Sequence, residues 1–342
     1  MKETRTRKNS GTYRVIRKMS QSTGSGVYPT IDPRDLVEPG MLNPSAAPGD
    51  SRDPLAFVKM HAGGNDFVII DGRYGLPAEI SLLARAMCDR HYGVGADGLV
   101  VLDNSTTGDF RMIFRNPDGS TSDMCGNALL CLARFVYKLG MCGPGKRKFD
   151  FEAGLRKISA HVIGGGERVR IDMGQPILDG AGIPTSEPGR HIGASLPVDG
   201  REIKCSAVGM GNPHCVLEVD ELSDELVEDL GPKITSHEFF PEGTNVEFVK
   251  VLDRRNLQFR VWERGVGETL SCGSGVCAAA VAMMLEERVE REVRVATKGG
   301  EYEVSWNTGS DRVSLTGIAD IVFTGECNLD QGVGRRLDDL AL

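Results

Sequence analysis

The 342-residue chain has nine cysteines, at positions 88, 125, 131, 142, 205, 215, 272, 277 and 327, and no pair of them is separated by only two residues. That absence removes the commonest signature of a structural zinc site. An odd count scattered through a chain of this length also speaks against a disulfide-stapled scaffold and for a reducing compartment. No run of about 18 apolar residues occurs, which excludes a helical membrane span. Basic residues are in deficit, 40 Lys and Arg against 48 Asp and Glu, for a formal net charge of -8. A nucleic-acid partner calls for a basic face and is not expected; a small polar substrate suits the balance. With 40% hydrophobic and 26% charged residues, the chain reads as a soluble globular protein long enough for about two domains. The Gly-rich GVGADG at 93–98 does not open a helix inside a strand–helix–strand unit, so it is not a dinucleotide fingerprint.

A core-forming pattern is missing from residues 1–54. Residues 1–26 hold seven Lys or Arg against the single acid Glu3, and residues 27–54 are rich in Pro and Asp. A basic, hydroxyl-rich, acid-poor leader fits an organelle transit peptide, which would place the protein in a plastid. It lacks, however, a clear amphipathic period and a secretory apolar region. A disordered extension or a misassigned start codon accounts for it equally well, with the cytoplasm as the location.

From Leu55 the pattern is dense. FVKM and FVIID flank HAGGND as strand, loop and strand, with glycines supplying positive φ. SLLARAMCDRH is helical in period, LVVLD and FRMIF are strands, and NPDGS leads into a helix that ends near Gly140; FDFEA, KISAHVI and RVRIDM follow as strands. The second half repeats that order. EIKCSAV, HCVLEV, NVEFVKV and LQFRVWE are strands, with a helical segment around Glu221 to Leu230. A second apolar helix runs from about Cys272 to Glu287, and VRVATKG, EYEVSW, RVSLTG and IADIVFTGE close as strands. The repetition predicts an α+β fold of two pseudo-symmetric domains, each a mostly antiparallel sheet or barrel wrapped around a central helix. The expected boundaries are 55–172, completed by a strand at about 317–328, and 173–316, with a tail at 329–342.

Both central helices open on a Cys-Gly-polar step, MCGN from Met124 and SCGS from Ser271. A thiol at a helix start faces unpaired N–H groups and the positive end of the helix dipole, so Cys125 and Cys272 are expected to have lowered pKa values. Inversion at a carbon acid needs one base on each side of the carbon, and two facing thiols supply that pair. The amides of Gly126, Asn127, Gly273 and Ser274 are placed to bind a carboxylate and the charge that spreads onto it. Cys131 and Cys277 fall inside the helical apolar runs and read as core.

KMHAGGNDFVIID, GVGADGL, NPDGSTSDMCGN, GNPHCV, EGTNVEFV, VWERGVGETLSCGSG and the closing strand from Gly317 to Gly325 stand in one order over about residues 57–328. In these motifs the chain resembles the diaminopimelate epimerases, a family of cofactor-independent amino-acid epimerases. The resemblance implies an active site in the cleft between the domains, with Cys125 and Cys272 as the acid/base pair and neither cofactor nor metal. It implies His214 and Glu263 as polar neighbours of the cysteines. Asn65, Asn116, Asn212, Asn245 and Arg264, with Glu263, then form the pocket for the far amino-acid end of LL- or meso-diaminopimelate, in lysine and peptidoglycan-precursor synthesis. A homodimer stays open.

Read singly, each of those asparagines is as well explained as a turn residue, since Asn65, Asn116 and Asn212 lie beside Gly, Pro or Asp and Asn245 follows Gly243 by two residues. Three positions depart from the family pattern: Ala62 and Ala128 stand where glycine is common, and Leu130 where arginine is common. Two other readings are a racemase of another amino acid, disfavoured by Asn127 and Arg264, and a non-enzymatic thiol protein, disfavoured by the irregular cysteine spacing. Facing thiols with no substrate between them are expected to close into a disulfide under mild oxidant. Activity should then be lost and restored by reductant; insensitivity to oxidant would contradict the facing geometry.

Overall fold

The computed structural model describes residues 55–327 except 76–78, 122–124, 142–146 and 155, together with a two-residue strand β1 at Arg14–Val15. The rest of the leader and the 329–342 tail lie outside the described residues. The first half runs β2 (Leu55–Ala62), β3 (Asn65–Asp71), α1 (Ile80–Cys88), β4 (Gly98–Asp103), β5 (Phe110–Arg115), α2 (Gly126–Lys138), β6 (Lys148–Ala153), β7 (Arg156–Ile163) and β8 (Arg168–Gly174). The second runs β9 (Ala194–Val198), β10 (Arg201–Gly209), β11 (Pro213–Glu218), α3 (Asp224–Thr235), β12 (Asn245–Asp253), β13 (Asn256–Glu263), β14 (Gly267–Thr269), α4 (Gly273–Leu285), β15 (Glu292–Ala296), β16 (Glu301–Trp306) and β17 (Val313–Cys327).

The two halves share one pairing scheme. β2 and β3 are antiparallel, β3 and β4 parallel across α1, β4 and β5 antiparallel, and β5 and β6 parallel across α2. In the same sequence, β10 and β11 are antiparallel, β11 and β12 parallel across α3, β12 and β13 antiparallel, and β13 and β15 parallel across α4. Parallel neighbours need a crossover longer than a hairpin, and in each case a helix supplies it. The second crossover of each half is the cysteine helix, so each sheet curls around that helix.

α4, GSGVCAAAVAMML, is apolar on every face and buried over almost its whole length, as a helix surrounded by sheet must be. α2 is buried from Gly126 to Val136 in the same continuous core, which joins the two halves. Separate small cores sit under α1 and α3. Cys131 and Cys277 are fully buried core residues.

RVSLTG and IADIVFTGE, read above as two strands, form the single strand β17, because β8 pairs with it up to Ile318 and β2 takes over at Ala319 without a break. β17 changes partners along its length. Residues 313–316 pair with β16 on one side, residues 313–318 with β8 on the other, and residues 319–327 with β2. The last strand of the second half thereby closes the first half into a barrel. Arg134 of α2, almost fully buried, donates to the Ala319 carbonyl and, at 2.8 Å, to Asp320, fixing the helix to the point where the strand switches.

The helix read at Glu221 to Leu230 begins later and ends later, at Asp224–Thr235. Its start is set by Ser223, whose hydroxyl accepts from the Leu226 N–H. It continues through Gly231 and Pro232 because Leu230 and Ile234 are buried, and because Gly231 lies flat on the Trp262 ring, where an added Cβ would come within 2.6 Å. The short strands β9 and β14 add to the expected set.

Candidate active site

The loop between β2 and β3 is only Gly63-Gly64, with φ of 57° and 77°, so HAGGND is a tight hairpin and Asn65 is the first residue of a strand. Asn65 donates through Nδ2 to Asp97 Oδ2 at 2.8 Å, which turns its Oδ1 toward Cys125 Sγ, 4.0 Å away. Asn127, in the first turn of α2, donates to the same Oδ1 at 3.3 Å. These four residues, Asn65, Asp97, Cys125 and Asn127, form one side of the site.

Cys272 and Cys125 each cap their helix with extended backbone, and neither sulfur makes a capping bond to it. The first-turn N–H groups therefore stay available to a ligand. The two helix starts abut: a Cβ built on Gly273 would stand 3.7 Å from the Gly126 Cα and 3.5 Å from Asn127 Oδ1. Around Cys272 lie Ser274, whose hydroxyl is 3.4 Å from the sulfur, and Glu263, which accepts from the Thr269 hydroxyl and whose carboxylate acts electrostatically on the Cys272 thiol.

His214 is wholly buried, with Nδ1 2.7 Å from Glu247 Oε1 and Nε2 2.9 Å from Asn212 Oδ1. Both ring nitrogens are thus engaged, and among the described residues neither is bonded to a thiol. His214 is linked to the α4 start by Glu247, whose Oε1 lies so near it that a Cβ on Gly275 would come within 2.7 Å. Asn245 is spent on the scaffold: its Nδ2 donates to the Pro213 carbonyl at 3.1 Å and its Oδ1 accepts from the Arg264 N–H at 2.9 Å. That bond seats Arg264, whose exposed guanidinium reaches the Glu242 carbonyl at 2.7 Å. Asn116 bonds Ser120 within its own NPDGS turn and touches none of the others, so its geometry fits the turn reading.

The expectation of lowered thiol pKa values is overturned. Burial pushes Cys125 up to about 11, against the pull of the Ala128 and Asn127 N–H groups. Burial likewise pushes Cys272 well above the ordinary thiol range; the Glu263 carboxylate raises it further, and Ser274 pulls the other way. Loss of hydration outweighs a helix start. Burial also raises Glu263 and Glu247. The unusual family positions fit: Ala62 is buried between Asn65 and Ala319, Ala128 is fully buried in the first turn of α2, and Leu130 is fully buried against Gly317, which the Tyr302 ring also faces.

Sequence reasoning missed Asp97, Glu247, Thr269, Ser271 and Tyr302. Glu247 left a signal, a lone carboxylate inside the apolar NVEFV run two residues after Asn245. Tyr302 left none, since EYEVSW alternates as any half-buried strand does.

The sequence profile of the diaminopimelate epimerase family matches residues 57–178 and 206–322. The chain belongs to the diaminopimelate epimerase family. A diaminopimelate epimerase of Desulfitobacterium hafniense is 44% identical over 276 residues, covering 79% of this chain and 97% of its own. A chloroplastic diaminopimelate epimerase of Oryza sativa subsp. japonica is 42% identical over 288 residues, 81% of each chain. Among solved structures, a hydroxyproline epimerase from Agrobacterium vitis superposes with a TM-score of 0.61 at 16% identity, over 82% of this chain and 95% of that one. A probable proline racemase from Agrobacterium radiobacter gives 0.60 at 15% identity, over 79% and 92%. The chain is an isomerase of the epimerase type, with the two-halved α+β fold of these structures. No helix among the described residues is long and apolar enough to cross a membrane.

The thiols hold their protons more tightly folded than unfolded. The stability they contribute is fully present below the unfolded thiol pKa of about 8.5 and is lost as pH rises through the folded value. For Cys125 the upper end of that window is about 11. Wild type should lose more thermal stability than Cys125→Ala between those limits; parallel curves of melting midpoint against pH would refute the raised thiol.

Proposed function

We propose that this protein interconverts LL- and meso-diaminopimelate by two-base proton transfer between Cys125 and Cys272, in lysine and peptidoglycan-precursor synthesis. The observation that carries the reading is the abutment of two cysteine-led helix starts, which leaves two sets of first-turn amides around one small volume. The substrate α-carboxylate binds the amides of Gly126, Asn127, Gly273 and Ser274, and those donors stabilise the charge that spreads onto it when the α-proton leaves. One cysteine as thiolate takes the α-proton; the other as thiol delivers its own proton to the opposite face, so the proton count of the pair is unchanged. Glu263 is the group that relieves Cys272 of a proton, and Asn65 Oδ1 is the acceptor that holds Cys125 as a thiol. Arg264 suits the far carboxylate, with Asn212 and Asn245 shaping that end.

This reading takes the chain as a first domain of 55–172 completed by 317–328, and a second of 173–316. The sharing of β17 between β2, β8 and β16 supports that division. It includes a homodimer through the outer face of β17, where Ile318 and Val322 stand exposed; a monomer mass in solution would remove that part. The cytoplasm is the proposed location and the plastid the alternative, in line with the rice relative named chloroplastic. Residues 1–54 fused to a fluorescent protein should stay cytosolic in plant cells, and import into plastids would reverse the order.

Purified protein incubated with LL-diaminopimelate should yield the meso form, read by chiral chromatography. Cys125→Ala and Cys272→Ala should each lose about 10²–10⁴-fold in kcat with the fold intact. Undiminished epimerisation by either variant would overturn the mechanism, and turnover of another amino acid in place of diaminopimelate would overturn the substrate.

A further inference from the structure

A buried polar chain crosses the molecule just behind the two cysteines. Tyr302 of β16, Asn127 of α2 and Ser271, the residue before Cys272, are each no more than 3% exposed. The Tyr302 hydroxyl lies 3.0 Å from Asn127 Oδ1 and 3.1 Å from Ser271 Oγ. Asn127 Nδ2 lies 3.3 Å from both Ser271 Oγ and Asn65 Oδ1, and Ser271 Oγ is 2.8 Å from the Gly63 carbonyl. A Cβ at Gly63 would come within 2.1 Å of the Tyr302 oxygen and 2.6 Å of Ser271 Oγ, so the hairpin that carries Asn65 packs directly on this cluster.

Only one arrangement of protons satisfies every member. The Asp97 carboxylate accepts only, so Asn65 turns Nδ2 to it and Oδ1 inward. That oxygen takes the Cys125 thiol and lies 3.3 Å from the Asn127 amide, so Asn127 presents Nδ2 to it rather than a second oxygen, which leaves Asn127 Oδ1 facing Tyr302, whose phenol is its side-chain donor among the described residues. The second Asn127 N–H goes to Ser271 Oγ, and the Ser271 proton goes to the Gly63 carbonyl. Each donor is used once, and the buried carbonyl of Asn127 depends on one hydroxyl. Removing it leaves that oxygen unpaired, and flipping the amide would set it against Asn65 Oδ1.

The consequence concerns the reacting groups. Asn127 belongs to the first turn of the Cys125 helix, and Ser271 adjoins the start of the Cys272 helix. We propose that Tyr302, with Ser271, is a positioning residue for epimerisation: it ties the two cysteine helix starts to each other and holds the Asn127 and Asn65 amides in the orientation that two-sided proton transfer requires. Leu130 and the Tyr302 ring both lie against Gly317, where an added Cβ would come within 2.8 Å of the first and 3.0 Å of the second, so the apolar residue at this usually basic family position leaves the phenol's surroundings uncharged. Neither residue touches the α-carbon; both act through the spacing of groups that do. This inference rests on the two-thiol reading of the site.

The test uses Tyr302→Phe, which removes one oxygen from a buried ring, and Ser271→Ala as an independent second cut. Each folded variant is incubated with LL-diaminopimelate in deuterated water, and two rates are measured: deuterium entry at the α-carbon of recovered LL substrate, and formation of meso product. With the thiols held at working spacing, a proton taken by one face is replaced from the other, so label enters mainly with inversion. With the spacing relaxed, the abstracting thiol exchanges with solvent and returns deuterium to its own face. We expect kcat for inversion to fall at least about tenfold while KM moves little, and the ratio of label in substrate to inversion to rise several-fold in both variants. The double variant should lose less than the product of the single losses, because both cut one network. A lower melting midpoint with kcat and the label ratio unchanged would make the network merely structural and overturn the proposal. If one variant fails to fold, the other decides by the same ratio. Absence of epimerisation by wild type would instead count against the functional reading itself.

Discussion

Two helix N-termini brought within contact of each other set the terms for everything around them. Each carries unpaired amides and about half a positive charge, so their approach is unfavourable until negative charge or a carboxylate lies nearby. The molecule answers with buried acceptors. Glu247 and Glu263 stand beside the start of α4, and Asp97 reaches the start of α2 through Asn65. The closing strand serves the same end, since β17 belongs to both halves and cannot let them drift apart. A fold that repeats its pairing scheme twice thereby produces one site with two similar faces.

The same closeness explains why the thiols are not reactive anions at rest. Helix starts favour a thiolate, but packing two of them together excludes the water that would solvate it, and desolvation is the larger effect for both Cys125 and Cys272. In the proposed mechanism the substrate ammonium, on entering the site, favours the thiolate, so the base is formed when there is a proton for it to take. Two poised thiolates side by side would repel; two thiols do not, and they oxidise more slowly.

Much of this was legible in the sequence. The paired Cys-Gly-polar steps, the repeated order of elements and the ordered motifs gave the family, the two-halved fold and the pair of cysteines, because local patterns and fixed spacings carry them. What was hidden depends on tertiary contact. Whether β17 is one strand or two and whether α3 passes Pro232 are decided by neighbours distant in sequence. His214 stood out as a titratable residue in a motif, yet its partner is Glu247 on the next strand, a pairing set by β-sheet register. Tyr302 and Ser271 had no signal at all, because a buried hydroxyl looks like any other strand aromatic or pre-helical serine until the chain is folded.

The account stands or falls on the two thiols working from opposite faces of one carbon. The direct measurement is a brief incubation of unlabelled LL-diaminopimelate with wild-type protein in deuterated water, with deuterium at the α-carbon determined separately in product and in recovered substrate. Two facing bases predict that meso product carries solvent deuterium at the inverted carbon from the first turnovers while recovered LL substrate carries almost none. Equal early labelling of substrate and product would mean a single base serving both faces, and would contradict the account.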